Sequence, residues 1–537
     1  MKKTMKQHSF TTRLKSLAVV FGIAMVFASC ANEDVAQNPA NPNEDNDKNL
    51  TTFVAGDEAK TRTSLDYNSS DFSWEAGDYI YVKDDDNVLQ KSSNAPTSKV
   101  TSFKYKVPGK FSAHTSYKVY YLGKNSNATA KKVTISTAQT QTKPDNTEHF
   151  GTAGDYGTAT ANKVTGKNQF AFELEHQPAY LVFQPYTSNT ILHNCYLTGV
   201  EVTSDNDIAE TYTVNLTTGN LDASAVTGGK KIVLTTSGSS SNPNGFPLSN
   251  SSASVTTNGA YMVIKPGTHT LKIRYWVKDN ATGTEGTITK TLPATAYASN
   301  TYYDMTTNLD VKNYDGDKYY MWDAREQYWK GHEWNLGGSQ PTLMTQSASS
   351  DCPQNSSDPN NRWYNTSYPG YGVSNPATHT SFNNVPNANE LSWYCMYGDP
   401  RWDGDELWTT MGHLYKGGMW FKKKSVLQAE NHYNTEKSAD NTTDLRTTSK
   451  DYDNTNSSIN NSGLPSAADA NKYFYLPALG YYYFGLLNNV GIIGYYWSSS
   501  AYSLSIGYAY YLYFGSGSVT VGDTGYRYSG FRAEAFQ

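Results

Sequence analysis

The sequence predicts a mainly β protein of about three domains that ends in an α+β region. Three observations lead there. Tyr, Thr, Ser, Asn and Gly dominate, with 43 Tyr and 14% aromatic residues, a palette that suits strands and is poor in helix formers. Short apolar–polar alternations recur, punctuated by Gly, Asn, Pro and Asp. One strong helix start stands outside the leader, late in the chain. At 537 residues the chain is too long for one compact core.

The opening reads as an export leader spanning residues 1–29. Lys2, Lys3, Lys6, Arg13 and Lys15 precede an apolar run from Leu17 to Phe27, then Ala28-Ser29-Cys30. The run is shorter than the roughly 20 residues a bilayer span needs. The mature protein is expected to begin at Cys30, with lipid on the thiol. Phe27 departs from the commoner Leu, Val or Ile of such a signal. Ala31-Asn32-Glu33-Asp34 resembles the surface-export tag of lipoproteins in Bacteroidota-type bacteria. Its plainer reading is a solvated linker, and residues 30–50 read as a tether too polar to fold. The expected location is an outer-membrane, lipid-anchored precursor exposed at the cell surface or on a fimbrium.

From residue 51 the pattern is β. Phe72-Ser73-Trp74 alternates, 75–78 turns, and 79–82 forms a strand stopped by three aspartates. Runs at 103–107, 117–122, 132–135, 170–174 and 180–183 follow at the spacing of a sandwich. Later strands are expected at 261–264, 268–277 and 287–292, with a long loop over 236–252. From Tyr319 the aromatics crowd. Asn387 then stands at an N-cap with Glu390 three residues on, and the helix stops near Gly398. A polar stretch over 431–462 reads as an excursion. The end returns to strands at 473–476, 494–497, 508–514 and 518–521.

Two stretches resemble known families. Thr61-Arg62-Thr63-Ser64-Leu65, Phe72-Ser73-Trp74 and Gly77-Asp78-Tyr79-Ile80-Tyr81-Val82 are similar to the opening of fimbrillin-like (Mfa-like) surface lipoproteins. Phe170-Ala171-Phe172 and His176-Gln177-Pro178-Ala179-Tyr180-Leu181 resemble that family's strand-and-corner segment. The resemblance implies two tandem β-sandwich, pilin-like domains, at 51–200 and 201–312. It also implies joining to other pilin subunits by donor-strand exchange. In that family a protease acting after an arginine removes the lipidated leader. Arg62 is the candidate by position, and an ordinary strand-edge charge is the alternative. The second resemblance rests on the order of Leu476-Pro477-Ala478-Leu479-Gly480, Gly494-Tyr495-Tyr496-Trp497-Ser498-Ser499, Ala509-Tyr510-Tyr511-Leu512-Tyr513-Phe514 and Gly530-Phe531-Arg532. It looks like the Fibrobacter major paralogous domain, which implies an α+β C-type-lectin-like fold over 313–537. The close, Arg532-Ala533-Glu534-Ala535, departs from that pattern and puts the final strand in doubt.

Composition excludes some functions. A net charge of −5 offers no basic surface for nucleic acid. The four cysteines, Cys30, Cys195, Cys352 and Cys395, fit no zinc ribbon or redox pair. Cys352 and Cys395 could pair, or Cys395 could be a buried free thiol. The C-type-lectin-like fold is related to formylglycine-generating enzymes, which use a cysteine pair late in the domain; no cysteine follows Cys395, so that oxidative chemistry has no nucleophile here. His332, His413 and His432 lack metal spacing, and Ser498-Ser499-Ser500 reads as turn capping. No phosphate loop occurs. No enzyme and no cofactor are expected. Calcium is a weak possibility at the cluster Asp399, Asp403, Asp405 and Glu406, beside Trp402 and Trp408, or at Asp358-Pro359-Asn360. A solvated turn is the plainer reading of that cluster.

The late Tyr-, Ser- and Gly-rich stretch marks the expected ligand face. Rigid phenol rings supply contact area at low entropic cost, and small polar groups adapt. The candidates are Tyr502, Ser503, Ser505, Tyr508, Ser516, Asp523, Tyr526 and Tyr528, while Tyr496, Trp497 and Tyr510 are expected in the core. The function expected is a fimbrial adhesin at the pilus tip, binding a host, bacterial or glycan ligand. The alternative is a non-polymerising surface lipoprotein that binds glycans.

Overall fold

The computed structural model describes residues 7–9, 49–56, 64–65, 67, 72–125, 131–224, 229–366, 377–455, 459–464 and 466–537. Cys30, Arg62 and nearly all of the leader and tether lie outside these residues.

In the N-terminal domain, apolar side chains at every second position build one curled sheet. Leu50–Ala55 lies between Phe103–Pro108, antiparallel, and Gln169–Phe172, parallel. Gly157–Lys163, Ser116–Tyr121, Ile80–Lys83 and Leu89–Lys91 continue the order. The sheet curls until its ends meet, Ser93 N donating to Lys106 O at 2.7 Å. Rings of Phe53, Trp74, Tyr105, Tyr121 and Phe170 fill the inside.

The second domain has two sheets. Ala179–Tyr186 runs parallel to Thr301–Asn308 and antiparallel to Ala260–Ile264. The other is ordered Ala138–Thr140, Lys231–Thr235, Cys195–Ser204, Gly267–Asp279, Glu285–Tyr297. Strand pairing corrects the expected boundary at 200. That cut falls inside Cys195–Ser204, and Ala179–Tyr186 already pairs within the second domain. Ala138–Thr140 also crosses over, to lie parallel to Lys231–Thr235. Alternation marks a strand without marking its partner. At the corner between the domains, His176 Nδ1 and Tyr180 OH reach the buried Asp155 Oδ1 at 3.0 and 2.6 Å.

In the C-terminal region the helix forms as its cap predicts. Asn387 Oδ1 accepts from Glu390 N at 3.0 Å, and Glu390 Oε2 accepts from Asn387 N at 2.8 Å. Helix Ala388–Tyr397 buries Leu391, Trp393, Tyr394 and Cys395. It packs on a sheet ordered Tyr319–Tyr320, Phe531–Arg532, Gly494–Ala501, Tyr508–Gly515, Ser518–Tyr526, Tyr452–Thr455. Ser498 Oγ donates to Pro386 O and Ser500 Oγ accepts from Ala388 N, so these serines seat the helix start. Phe531–Arg532 pairs with Tyr319–Tyr320, and the buried Arg532 donates to Asp315 O at 2.7 Å. Cys352 and Cys395 are free and buried in separate clusters. Burial pushes the Cys395 thiol up to about 12.

Two of the four acidic residues, Asp403 and Glu406, bond across to the preceding sheet instead of forming a calcium loop or a solvated turn. Arg401–Thr410 pairs antiparallel with His413–Lys422 and meets Glu285–Tyr297 at a parallel bridge, Thr287 to Glu406. One sheet thus runs from the second domain into the C-terminal region. Arg274 Nη2 donates to Asp403 Oδ1 at 2.8 Å. Glu406 accepts from Thr289 N at 3.1 Å and from Thr289 Oγ1 at 2.6 Å. Asp399 accepts from Arg401 Nε at 2.9 Å and Tyr473 OH at 2.6 Å, and Asp405 lies 3.3 Å from Lys416 Nζ. The four carboxylates serve different partners. Among the described residues no group of three His, Cys, Asp or Glu side chains could hold a metal ion. Asp358 is likewise engaged, 2.6 Å from the buried Arg362.

Candidate ligand-binding face

The late tyrosines come together by two separate pieces of backbone. In the hairpin of Tyr508–Gly515 and Ser518–Tyr526, Tyr508 stands opposite Tyr526. Cross-strand partners share a face, and these rings lie 5.1 Å apart. Tyr528 follows two residues on, its ring 5.1 Å from Tyr526 at 23° between planes. Tyr502 N donates to Tyr508 O at 3.2 Å, which closes the intervening loop and sets the Tyr502 ring 6.3 Å from Tyr508. The buried Arg527 holds this corner. Its backbone N–H donates to Gly507 O and its Nε to Tyr508 O, while the guanidinium lies 4.3 Å from the Trp322 ring centre.

A second hairpin extends the row. Tyr481–Tyr483 and Leu486–Asn488 are joined by Phe484 and Gly485, with φ of 45° and 74°. Both values lie in the left-handed region that a two-residue turn requires. Gly485 meets that need; a Cβ there would lie 2.2 Å from Ser349 O. Phe484 does not, and an aromatic residue there is strained. Reciprocal bonds between Tyr482 and Gly530 tie this hairpin to the segment after Tyr526. The Phe484 ring consequently lies 5.6 Å from Tyr528 and 4.5 Å from Tyr483.

The result is a continuous row, Tyr502, Tyr508, Tyr526, Tyr528, Phe484, Tyr483. Phe484 is 62% exposed and Tyr526 44%, with Leu504 and Ile506 exposed on the adjoining loop. A hydrogen bond with Tyr526 holds the Tyr508 phenol above its ordinary value, so it stays neutral at physiological pH.

Four of the eight expected ligand residues, Tyr502, Tyr508, Tyr526 and Tyr528, lie in the row. Ser505 sits on the adjoining loop, where its Oγ accepts from Gly507 N. The others are corrected. Ser503 is buried. Asp523 is buried too, accepting from Ser449 Oγ at 2.5 Å. Ser516 occupies the opposite end of the hairpin, roughly 27 Å away along eight extended residues. Polarity alone could not separate buried from exposed positions in this stretch. Phe484 and Tyr483 escaped the sequence analysis. The available signal was Phe484-Gly485, an aromatic–glycine pair between short alternating runs. Tyr496, Trp497 and Tyr510 are fully buried, as expected.

No family model matches the chain, and no curated protein matches it. Solved structures align with it at low similarity. A candidate cell adhesion protein from Bacteroides ovatus is 15% identical, with a TM-score of 0.28, over 47% of this chain and 89% of that one. A fimbrial protein from Bacteroides ovatus is 11% identical, with a TM-score of 0.24, over 90% of this chain and 98% of that one. The fimbrial anchor protein Mfa2 from Porphyromonas gingivalis is 12% identical, with a TM-score of 0.21, over 45% and 83%. At TM-scores of 0.28 or less these likenesses carry no argument about fold or function.

Proposed function

We propose that the chain is a cell-surface fimbrial adhesin, with a lectin-like C-terminal head that grips its ligand through the aromatic row. The row itself carries this reading. Two exposed rings, Phe484 and Tyr526, lined up with four half-exposed tyrosines make an aromatic surface of the kind that marks interaction sites. Here it is assembled from two hairpins at the expense of a strained turn. Tyrosine faces with hydroxyl edges suit a host, bacterial or glycan surface. The fimbrial and adhesion descriptions of the aligned structures belong to the same class, but the reading rests on the chain's own geometry.

Assembly follows from a strand edge. Thr301–Asn308 is covered on its outer side by Gln7–Ser9, across Thr301–Tyr303 only. Among the described residues no other strand pairs with the outer edge of Met305–Asn308. Residues 7–9 belong to the export leader. Removal of the leader at Cys30 leaves an edge that a neighbouring subunit's strand can fill, and cleavage after Arg62 would also take out Leu50–Ala55, opening a second gap between Phe103–Pro108 and Gln169–Phe172. The head occupies the edge at Glu285–Tyr297, which favours a tip position.

Immunogold microscopy of fimbriated cells tests the placement: label at fibre ends is expected, and label along the whole shaft rejects the tip. Adhesion assays with Tyr526→Ser are expected to lose about tenfold in bound cells. A mature N-terminus that keeps lipidated Cys30, with no fibre, instead identifies the non-polymerising glycan-binding lipoprotein.

A further inference from the structure

The loop that carries Tyr502 into Tyr508 adds aliphatic tips to the aromatic row. Ser503 turns inward, while Leu504 and Ile506 stand 64% and 56% exposed. Phe484, reached through Tyr526 and Tyr528, is 62% exposed. A side chain lying in a groove does not show that much of itself to water, so these three project. Between the two aliphatics, the Ser505 Oγ is occupied by Gly507 N.

Charge is missing from this surface. No Asp, Glu, Lys, Arg or His occurs from Tyr473 to Gly522, although charged residues make up 17% of the chain. Arg527 follows, but it is buried and lies against Trp322. The phenols report the same neutrality. A hydrogen bond with Tyr526 holds Tyr508 above its ordinary value, burial does so for Tyr528, and the groups acting on both are tyrosines. The rings also face one another. Tyr526 and Tyr528 make 23° between planes at 5.1 Å, and Tyr528 and Phe484 make 33° at 5.6 Å. A sugar stacks on a free aromatic face, and the faces inside this row are turned to neighbouring rings.

We infer that this surface docks on the lipid bilayer of a target cell, with Leu504, Ile506 and Phe484 entering the acyl boundary and the phenols at headgroup depth. The inference rests on the reading of the row as the ligand face. Tyrosine favours a bilayer interface, where its body is sheltered and its hydroxyl stays wet. The aliphatic tips go deeper because of the apolar area they remove from water. With no exposed cation in the row or its loop, the attraction needs no anionic lipid and is not screened by salt. A protein ligand would need a pocket matched to each projecting tip, whereas a fluid bilayer receives them all without shape complementarity.

The test sediments the full mature chain with phosphatidylcholine vesicles, with and without phosphatidylserine, at low and high salt. Binding to phosphatidylcholine alone is expected, unchanged by phosphatidylserine or by salt. Replacing both tips, Leu504→Ser with Ile506→Ser, should cut binding about tenfold and leave the melting temperature unchanged, since both side chains already lie in solvent. Ile492→Ser is the control for general stickiness. Ile492 is 61% exposed but lies beside Gly515, at the far end of the hairpin, and its loss should leave binding intact. Absence of vesicle binding overturns the inference. Binding that requires phosphatidylserine, or that survives loss of both tips, overturns it equally. Adhesion to cells that Tyr526→Ser abolishes and protease treatment of the cells prevents, without vesicle binding, keeps the ligand face and assigns it a protein. Adhesion indifferent to Tyr526→Ser removes the ligand face itself.

Discussion

Phe484 is the most informative residue. An aromatic side chain at a φ of 45° costs on the order of 1 kcal/mol or more, and this ring stays mostly in solvent. Stability therefore does not explain it, whereas the proposed ligand face does. Phe484→Asn places a residue that tolerates the left-handed region in the same turn. Thermal melting should show stability unchanged or raised by about 1 kcal/mol, while adhesion falls. Lower stability together with full adhesion would remove Phe484 from the face. The tyrosines of the row were legible because they lie in one late stretch of small and phenolic residues. Phe484 was not, since nothing in linear order sets it beside Tyr528, some forty positions downstream. Ser503 and Asp523 misled for a different reason: their polar groups are buried in the fold.

Among the elements, the head helix was fully legible and the edge hairpins were not. A capping box is a local signal, written in Asn387 and Glu390 before any tertiary contact forms. Asn387→Ala removes two bonds, the one accepted from Glu390 N and the one donated by Asn387 Nδ2 to Thr435 O, and leaves Glu390 N without its acceptor. The expected loss is about 1 kcal/mol, read from the melt of the head or from faster amide exchange in its first turn. Arg401–Thr410 illustrates the opposite case. Asp403, Asp405 and Glu406 make it read as an acidic turn, because carboxylates are poor strand formers. They sit in a strand since Arg274 and Thr289 of another domain receive two of them. Strands of the first two domains announced themselves by alternation, but the crossing of Ala138–Thr140 into the second domain did not.

At the scale of the whole molecule, one sheet joins Glu285–Tyr297 to Arg401–Thr410, a junction that no linear pattern reveals. Burial first, and then the Asp403 carboxylate, raise Glu406 from 4.5 to about 7. The folded chain holds this proton more tightly than the unfolded chain does. The associated stabilisation is complete below pH 4.5 and is lost as pH rises through about 7. Scanning calorimetry between pH 5 and pH 8, the window around that value, should show melting temperature falling with pH. Glu406→Gln should flatten this slope. An unchanged slope in the variant would assign the pH response elsewhere.

The bridge between Thr287 and Glu406 also has a mechanical consequence. Arg274 and Asp403 are largely shielded from water, so prising the two units apart strands charge in a poorly solvated place. No free swivel remains between them. In the proposed tip adhesin, drag on a cell held in flowing liquid would travel from the outermost rings straight into the shaft as tension, mooring the cell by a stiff spar instead of a slack line.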